Sequence, residues 1–159
     1  MRAGVLTVSD GVARGEREDE SGALLGELLA AEGYDVVRRV VPDDRGDIAE
    51  AIEELSEGAD LVLTTGGTGV APRDVTPEAT ASVLERQLPG IAEALRADSA
   101  RRTPHGLLSR GLAGTRGRTL VVNLPGSPGG CRDGFAVLRV ALPHALGLLS
   151  GEQGGHRQT

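Results

Sequence analysis

The sequence predicts an α/β fold: a mostly parallel sheet with helices on both faces. Two observations predict the architecture. Short apolar runs with β character, Ala3 to Val8, Tyr34 to Val41, Leu61 to Leu63 and Thr119 to Leu124, are separated by stretches of helical period. Strands alternating with helices at such short spacing build a parallel sheet covered on both sides. A third observation predicts where it works. The carboxyl ends of the four strands are all polar, acidic or glycine-rich: Ser9-Asp10, Pro42-Asp43, Thr65 through Gly69, and Asn123 through Ser127. In open α/β sheets ligands bind outside these ends, at the topological switch point.

Taken in order, the first strand ends at Ser9-Asp10-Gly11, and a polar loop bearing Arg14 and Arg17 runs to Asp19. From Glu20, Leu24, Leu25, Leu28 and Leu29 form one helical stripe, and Gly33 fits the position just past the helix end. The second strand ends at Pro42-Asp43-Asp44. Ile48, Ile52 and Leu55 share a face of the next helix, which stops near Gly58. The third strand opens into Thr64-Thr65-Gly66-Gly67-Thr68-Gly69. Thr76-Pro77-Glu78 then predicts a helix start, with Thr76 as N-cap and Pro77 at the first helical position. Glu78 faces the helix dipole. This helix is expected to run to Leu88-Pro89-Gly90, and another bearing Ile91, Ala94 and Leu95 to stop at Thr103-Pro104. His105 to Gly117 is ambiguous, and within it Leu107-Leu108-Ser109-Arg110 reads as either a short strand or a turn. Phe135, Leu138 and Leu142 lie in register on a C-terminal helix that Pro143 kinks or restarts. Residues 1–150 are expected to form one domain and residues 151–159 a frayed tail.

Composition removes several classes of function. The 159 residues suffice for one real core. Seventeen basic residues against 23 acidic give a net charge of −6, which argues against a nucleic-acid binder. Tyr34 and Phe135 are the only aromatics, so the core is expected to be aliphatic and the composition argues against base-stacking platforms. Cys131 stands alone, which leaves no disulfide framework and no thiolate zinc cluster. No apolar run approaches the ~20 residues that span a membrane, and the chain enters its first strand with no signal peptide, so a cytoplasmic protein is expected.

The central loop suits a phosphate-bearing ligand, because glycine lets a ligand reach main-chain N–H groups. It is neither a Walker A loop, lacking Gly-Lys-Ser/Thr, nor the dinucleotide fingerprint, since Val70-Ala71-Pro72 follows and the helix starts too late. Asp10, Asp43 and Asp74 each follow a different strand. Carboxylates beside a phosphate site hold Mg²⁺, though each could instead cap the helix after it. Capping suits Asp44 and Asp47; for Asp74, Thr76 already fills the cap, which favours a ligand or metal role. Arg14, Arg73 and Arg110 could pair with phosphate or carboxylate. Ser9, Thr68, Ser109 and Ser127 are hydroxyl donors with no base beside them in sequence. His105, His144 and His156 lie far apart, so neither a triad nor a zinc site is supported. Cys131, after the Pro-Gly loop, reads as a small buried residue at a helix start rather than a nucleophile.

LTVSDG, VPDD, LTTGGTGVAPRDVTPEA and LSRGLAGTRGRTLVVNLPGSP, in this order, resemble the MogA/MoaB family of molybdenum-cofactor biosynthesis proteins. The resemblance spans Ala3 to about Gly151, and the TTGGTG, RDVTPEA and LSR details are closer to its catalytic branch, the molybdopterin adenylyltransferases. It implies a three-layer α/β/α sandwich, usually a homotrimer, and a reaction in which the terminal phosphate of molybdopterin attacks the α-phosphorus of Mg-ATP to give adenylyl-molybdopterin and pyrophosphate. By position, Asp43 and Asp74 match the acidic pair that holds Mg²⁺ or orients the attacking phosphate. Gly66, Gly67, Thr68 and Gly69 match the loop cradling nucleotide and phosphate. Pro125, Gly126 and Ser127 match the adenylate side, and Thr7, Ser9, Asp10 and Ser109 the pterin and phosphate pocket. Arg73 is expected to contribute charge. Docking with the downstream molybdenum-insertion enzyme also follows from the resemblance. One departure stands out: the family often carries a lysine after Pro-Gly-Ser-Pro, where this chain has Gly129. Phosphate binding would then rest on Arg73, Arg110 or backbone N–H groups. Two competing expectations remain, a non-catalytic molybdopterin carrier or scaffold with the same pocket, and a domain acting on another pyrophosphate-containing nucleotide, as competence-damage proteins of similar fold do.

Overall fold

The computed structural model of the chain describes residues 1–152. Four strands run parallel: β1 (Arg2–Val8), β2 (Asp35–Val41), β3 (Leu61–Thr65) and β6 (Thr119–Leu124). Two more, β5 (Ala113–Arg116) and β4 (Arg86–Gln87), extend one edge in antiparallel fashion, giving the order β2-β1-β3-β6-β5-β4. The chain leaves β1 for β2 on one side and returns to β3 on the other. The order therefore reverses at β1/β3, and a crevice opens there above the strand ends.

The period-2 alternation of each strand sorts the core into two layers. Ala3, Val5, Leu61, Leu63, Leu120, Val122 and Leu124 pack on one face beneath α2 (Glu20–Ala31), α6 (Pro128–Leu138) and α7 (Leu142–Ser150). Leu6, Val8, Val62 and Val121 pack on the other beneath α3 (Arg45–Gly58) and α4 (Thr76–Val83). This is the three-layer sandwich. Phe135 is the one aromatic in the buried core, so the interior is built from branched aliphatics. Truncating one of them to alanine, Leu25 or Leu63 for example, costs about 2–5 kcal/mol.

Several boundaries differ from the sequence expectation. The loop after β1 contains a four-residue helix, α1 (Asp10–Ala13), capped by Ser9, whose Oγ accepts from Val12 N at 3.2 Å. Helix α4 ends at Val83, well before Pro89, because the chain turns there to form β4; Pro89 opens α5 (Pro89–Arg102) instead of breaking a helix. The ambiguous stretch holds both a 3₁₀ turn, Pro104–Leu108, and β5. Pro143 restarts the chain as α7, and Leu142 belongs to that helix. Of the expected tail, Gly151 closes α7 in the left-handed region with φ +85°, and residues 153–159, with His156, lie outside the described residues. Among the described residues no helix is long and apolar enough to cross a membrane.

Candidate functional site

Toward their carboxyl ends the central strands change from aliphatic to polar: Thr7, Thr64, Thr65 and Asn123 are all buried. Buried polar groups need partners, and each of these has one. Asn123 Nδ2 donates to Thr64 Oγ1 (2.9 Å) and Thr80 Oγ1 (3.0 Å), while its Oδ1 accepts from Leu112 N (3.0 Å). Thr65 Oγ1 donates to Pro125 O (2.8 Å), which joins β3 to the Pro-Gly loop. The strand ends thus form a rigid shelf under the crevice.

On that shelf lies the glycine loop. Gly66 and Gly67 have φ of +101° and +69°, the left-handed region that favours glycine. A Cβ at Gly66 would collide with the Val8 carbonyl, and one at Gly67 with Thr76 Oγ1. Thr76 is not the N-cap of α4: it is the first helical residue, behind Val75, which makes no side-chain cap bond. Its buried hydroxyl donates to Gly66 O (2.9 Å) and its N–H to Gly67 O (3.1 Å). The residue expected to cap the helix instead ties the helix to the loop.

The three aspartates meet at the crevice. Asp10 N donates to Asp43 Oδ2 (2.9 Å) and Asp43 N to Asp10 Oδ1 (3.0 Å), a reciprocal pair across 33 residues. Arg73 closes it, with Nε to Asp10 Oδ2 (2.6 Å), Nη2 to Asp10 Oδ1 (3.0 Å) and Nη2 to Asp43 O (3.2 Å). The Arg73 guanidinium, then the Asp43 amide, hold the Asp10 carboxyl below its usual range. Asp74 Oδ2 accepts from Ala71 N (2.9 Å). Asp44 is the cap expected of it, its Oδ1 accepting from Asp47 N (2.9 Å); Asp47 sits in the first turn of α3 and caps nothing.

Two cavities flank the ridge that the glycine loop and the Pro-Gly loop form together. The first, about 610 Å³, is polar and is lined by Thr7, Ser9, Asp43, Gly66, Gly67, Asp74 and Gly126 among others. The second, about 510 Å³, has largely apolar walls from Ala92, Leu95, Leu108 and Leu124, with Thr68, Gly69, Ser109, Pro125, Ser127 and Gly129 also on its lining. Thr7 and Ser9 therefore face one cavity and Ser109 the other, although the sequence grouped them. Ser127 caps α6, its Oγ accepting from Gly130 N (3.1 Å).

Sequence reasoning missed Asp19. It lines the polar cleft beside Thr7, caps α2 through Gly22 N (3.0 Å), accepts from the Thr7 hydroxyl (2.9 Å to each oxygen) and pairs with Arg38 (2.8 Å). Its place just before the leucine stripe was the available signal. Arg96, which lines the apolar cavity and donates to Gly111 O (2.8 Å), gave none. Arg110 is not free to bind phosphate: its guanidinium is taken up by Gly69 O, Asp74 O and Glu78. Cys131 is fully buried, donates to Pro125 O (3.1 Å), and has its thiol pushed up to about 11 by burial, so it is inert as expected. His105 and His144 are exposed; His105 lines the apolar cavity, and neither lines the polar cleft with Asp43 and Asp74.

Among the described residues no cluster of three or more His, Cys, Asp or Glu is arranged to hold a metal ion. Asp43 and Asp74 nonetheless both face the polar cleft, and neither Oδ1 accepts a hydrogen bond among the described residues. Two carboxylates with one uncommitted oxygen each fit Mg²⁺, which takes its remaining ligands from water and phosphate, better than a cation that needs a full protein cage.

Known proteins share this arrangement over most of the chain. Residues 4–144 match the family described as "Probable molybdopterin binding domain". The chain is 38% identical over 156 residues to the molybdopterin adenylyltransferase of Helicobacter pylori, covering 95% of this chain and 89% of that protein. It is 38% identical over 160 residues to the molybdenum cofactor synthesis protein cinnamon of Drosophila melanogaster, covering 98% of this chain but only 27% of that much longer protein. Among solved structures, the molybdopterin biosynthesis enzyme MoaB of Thermus thermophilus superposes with a TM-score of 0.88 at 49% identity, covering 94% of this chain and 96% of that one. This chain belongs to the MoaB/MogA family of molybdenum-cofactor biosynthesis proteins.

Proposed function

We propose that the chain is a molybdopterin adenylyltransferase. The observation that carries the proposal is the pair Asp43 and Asp74, brought from different loops to one cleft beside a glycine loop that has no room for side chains. In the proposed reaction an oxygen of the molybdopterin phosphate attacks the α-phosphorus of ATP. The bond from that phosphorus to the β-phosphate bridging oxygen breaks, and pyrophosphate leaves with the electron pair. A phosphate nucleophile is already ionised at neutral pH, so the step needs no general base. That agrees with a polar cleft whose lining includes no histidine; His105 lines the apolar cavity instead. What such a transfer does need is alignment and charge neutralisation.

Asp43 and Asp74 would hold Mg²⁺, which when bound neutralises phosphate charge in a cleft otherwise hostile to anions. Thr7, Ser9 and Asp10 shape the cleft wall, Asp10 by fixing Asp43. Gly66 to Gly69 present backbone to the phosphates. Pro125, Gly126 and Ser127 separate the two cavities, where nucleotide and pterin would meet. Arg73, engaged with Asp10 but exposed, is the cation nearest the aspartates and turns to phosphate when substrate arrives. We further propose that the protein works in the cytoplasm as a homotrimer and hands its product to a molybdenum-insertion enzyme; sedimentation and co-purification test these.

The deciding experiment is pyrophosphate release from Mg-ATP with and without molybdopterin. Pterin-dependent release is expected, and Asp74→Asn should lower kcat by about 10²–10³, the scale for losing one preorganised charged group. Turnover of Asp74→Asn within three-fold of wild type would remove the assigned role. Pterin binding without release would mark the chain as a carrier, and competition by another pyrophosphate-containing nucleotide would redirect the substrate.

A further inference from the structure

The loop from Gly69 to Asp74 carries Asp74 to the polar cleft and Arg73 onto Asp10, yet it has no apolar anchor: Val70, Ala71, Pro72 and Arg73 are all exposed. Its internal bonds are two, both between Ala71 and Asp74. What fastens its ends is a side chain from a distant segment. Arg110 Nε donates to Gly69 O (2.8 Å), Nη2 donates to Asp74 O (2.7 Å), and Nη1 pairs with Glu78. The Arg110 main-chain N–H also donates to Thr68 O (2.9 Å). A guanidinium is a rigid planar fork, so acceptors that share it are fixed relative to one another.

Glu78 braces the fork. It stands in the first turn of α4, and one of its carboxylate oxygens is buried with no partner among the described residues. Its charge is therefore compensated by Arg110, which in turn holds its carboxyl below the usual range. The ends of the exposed loop are thus referenced to a helix packed on the sheet. The same segment does a second thing. Ser109 and Gly111, on either side of Arg110, wall the 510 Å³ cavity, while Asp74 walls the 610 Å³ cleft. Arg110 adds a hydrogen-bonded link from the first wall to the Asp74 end of the loop.

We propose that Arg110, braced by Glu78, is a positioning residue that sets Asp74 in the polar cleft and locks it in register with the wall of the apolar cavity. For its catalytic consequence this rests on the adenylyl-transfer reading; the positioning itself does not. Arg110→Lys keeps the charge but cannot reach three acceptors in one plane. Arg110→Gln with Glu78→Gln removes both charges together, so Glu78 is not left as a carboxylate without its partner.

Amide hydrogen exchange on the unliganded full chain tests the clamp. In both variants the Ala71 and Asp74 amides should exchange at least about ten-fold faster, with β3 and β6 amides at wild-type protection. Steady-state pyrophosphate release then tests the consequence: kcat falls about 10²-fold, the scale for a slightly misplaced group, while KM for ATP stays within about three-fold. Unchanged exchange at Ala71 and Asp74 would overturn the clamp. Faster exchange spread equally through the sheet would make Arg110 a general stabiliser and also overturn it, and faster loop exchange with unchanged kcat would overturn its role in positioning Asp74. If the wild-type chain releases no pyrophosphate, the adenylyl-transfer reading fails by itself, and the exchange data still decide the clamp.

Discussion

Replacing Gly67 with alanine tests whether the glycine loop is prebuilt. Gly67 lies at φ +69°, where an L-residue costs roughly 1–2 kcal/mol. The new methyl would also occupy the place of Thr76 Oγ1 and come within 3.3 Å of Asp43 Oδ1. Thr76 is fully buried at 0% exposure and bracketed by Gly66 and α4, so it cannot swing clear without giving up its bond to Gly66 O. A buried carbonyl left unpaired costs about 1–3 kcal/mol. The two effects add to roughly 2–5 kcal/mol, a large part of the ~5–15 kcal/mol that holds a typical domain together. Urea denaturation measures it directly. With a slope of about 2 kcal/mol per molar, the midpoint should fall by about 1–2.5 M with the slope unchanged. Activity should fall further than the folded fraction explains, because the methyl crowds Asp43. A stability loss below about 1 kcal/mol would show that the loop relaxes freely and that Thr76 does not hold it in place.

The acid limb of stability should follow Asp10 and Glu78. Both carboxyls are depressed, by Arg73 and Arg110 first, so as the pH falls the unfolded chain takes up these protons before the folded one does. Their contribution is complete above about pH 5 and drains away below the ordinary carboxylate range near pH 4; urea midpoints across pH 3–7 should show it, and Arg73→Gln should flatten the fall. The Cys131 thiol, buried and pushed up to about 11, should resist a thiol reagent at pH 8 in the native protein and react at once in urea. Gly129 has nothing within 4 Å of where a Cβ would stand, so Gly129→Lys should fold normally, and a lower KM for ATP or molybdopterin would mark the cation as a phosphate contact.

The sandwich was legible because two periodicities carry it. The strands β1, β3 and β6 are apolar on both faces, and the stripes Leu25/Leu29 and Ile48/Ile52/Leu55 match the two layers they meet. The crevice was legible because glycines and acids cluster where those strands end. Short pieces were not. β4 is Arg86–Gln87, two exposed residues, and β5 is Ala-Gly-Thr-Arg; neither has a pattern of its own, and β5 exists because β6 offers it an edge and β4 because β5 in turn offers one. The same limit governs the site. Asp43 and Asp74 could be picked out by their loops, but what orients them comes from far away in the chain: Asp10 by reciprocal amides, Arg73 by bridging, Arg110 through backbone carbonyls 36 and 41 residues distant. Thr76 shows why local rules cannot supply this. Its type and position suit an N-cap, and the isolated helix would use it so. In the folded chain Gly66 is buried, its carbonyl takes the Thr76 hydroxyl, and the hydroxyl goes where leaving an acceptor unpaired would cost more than leaving the first turn uncapped.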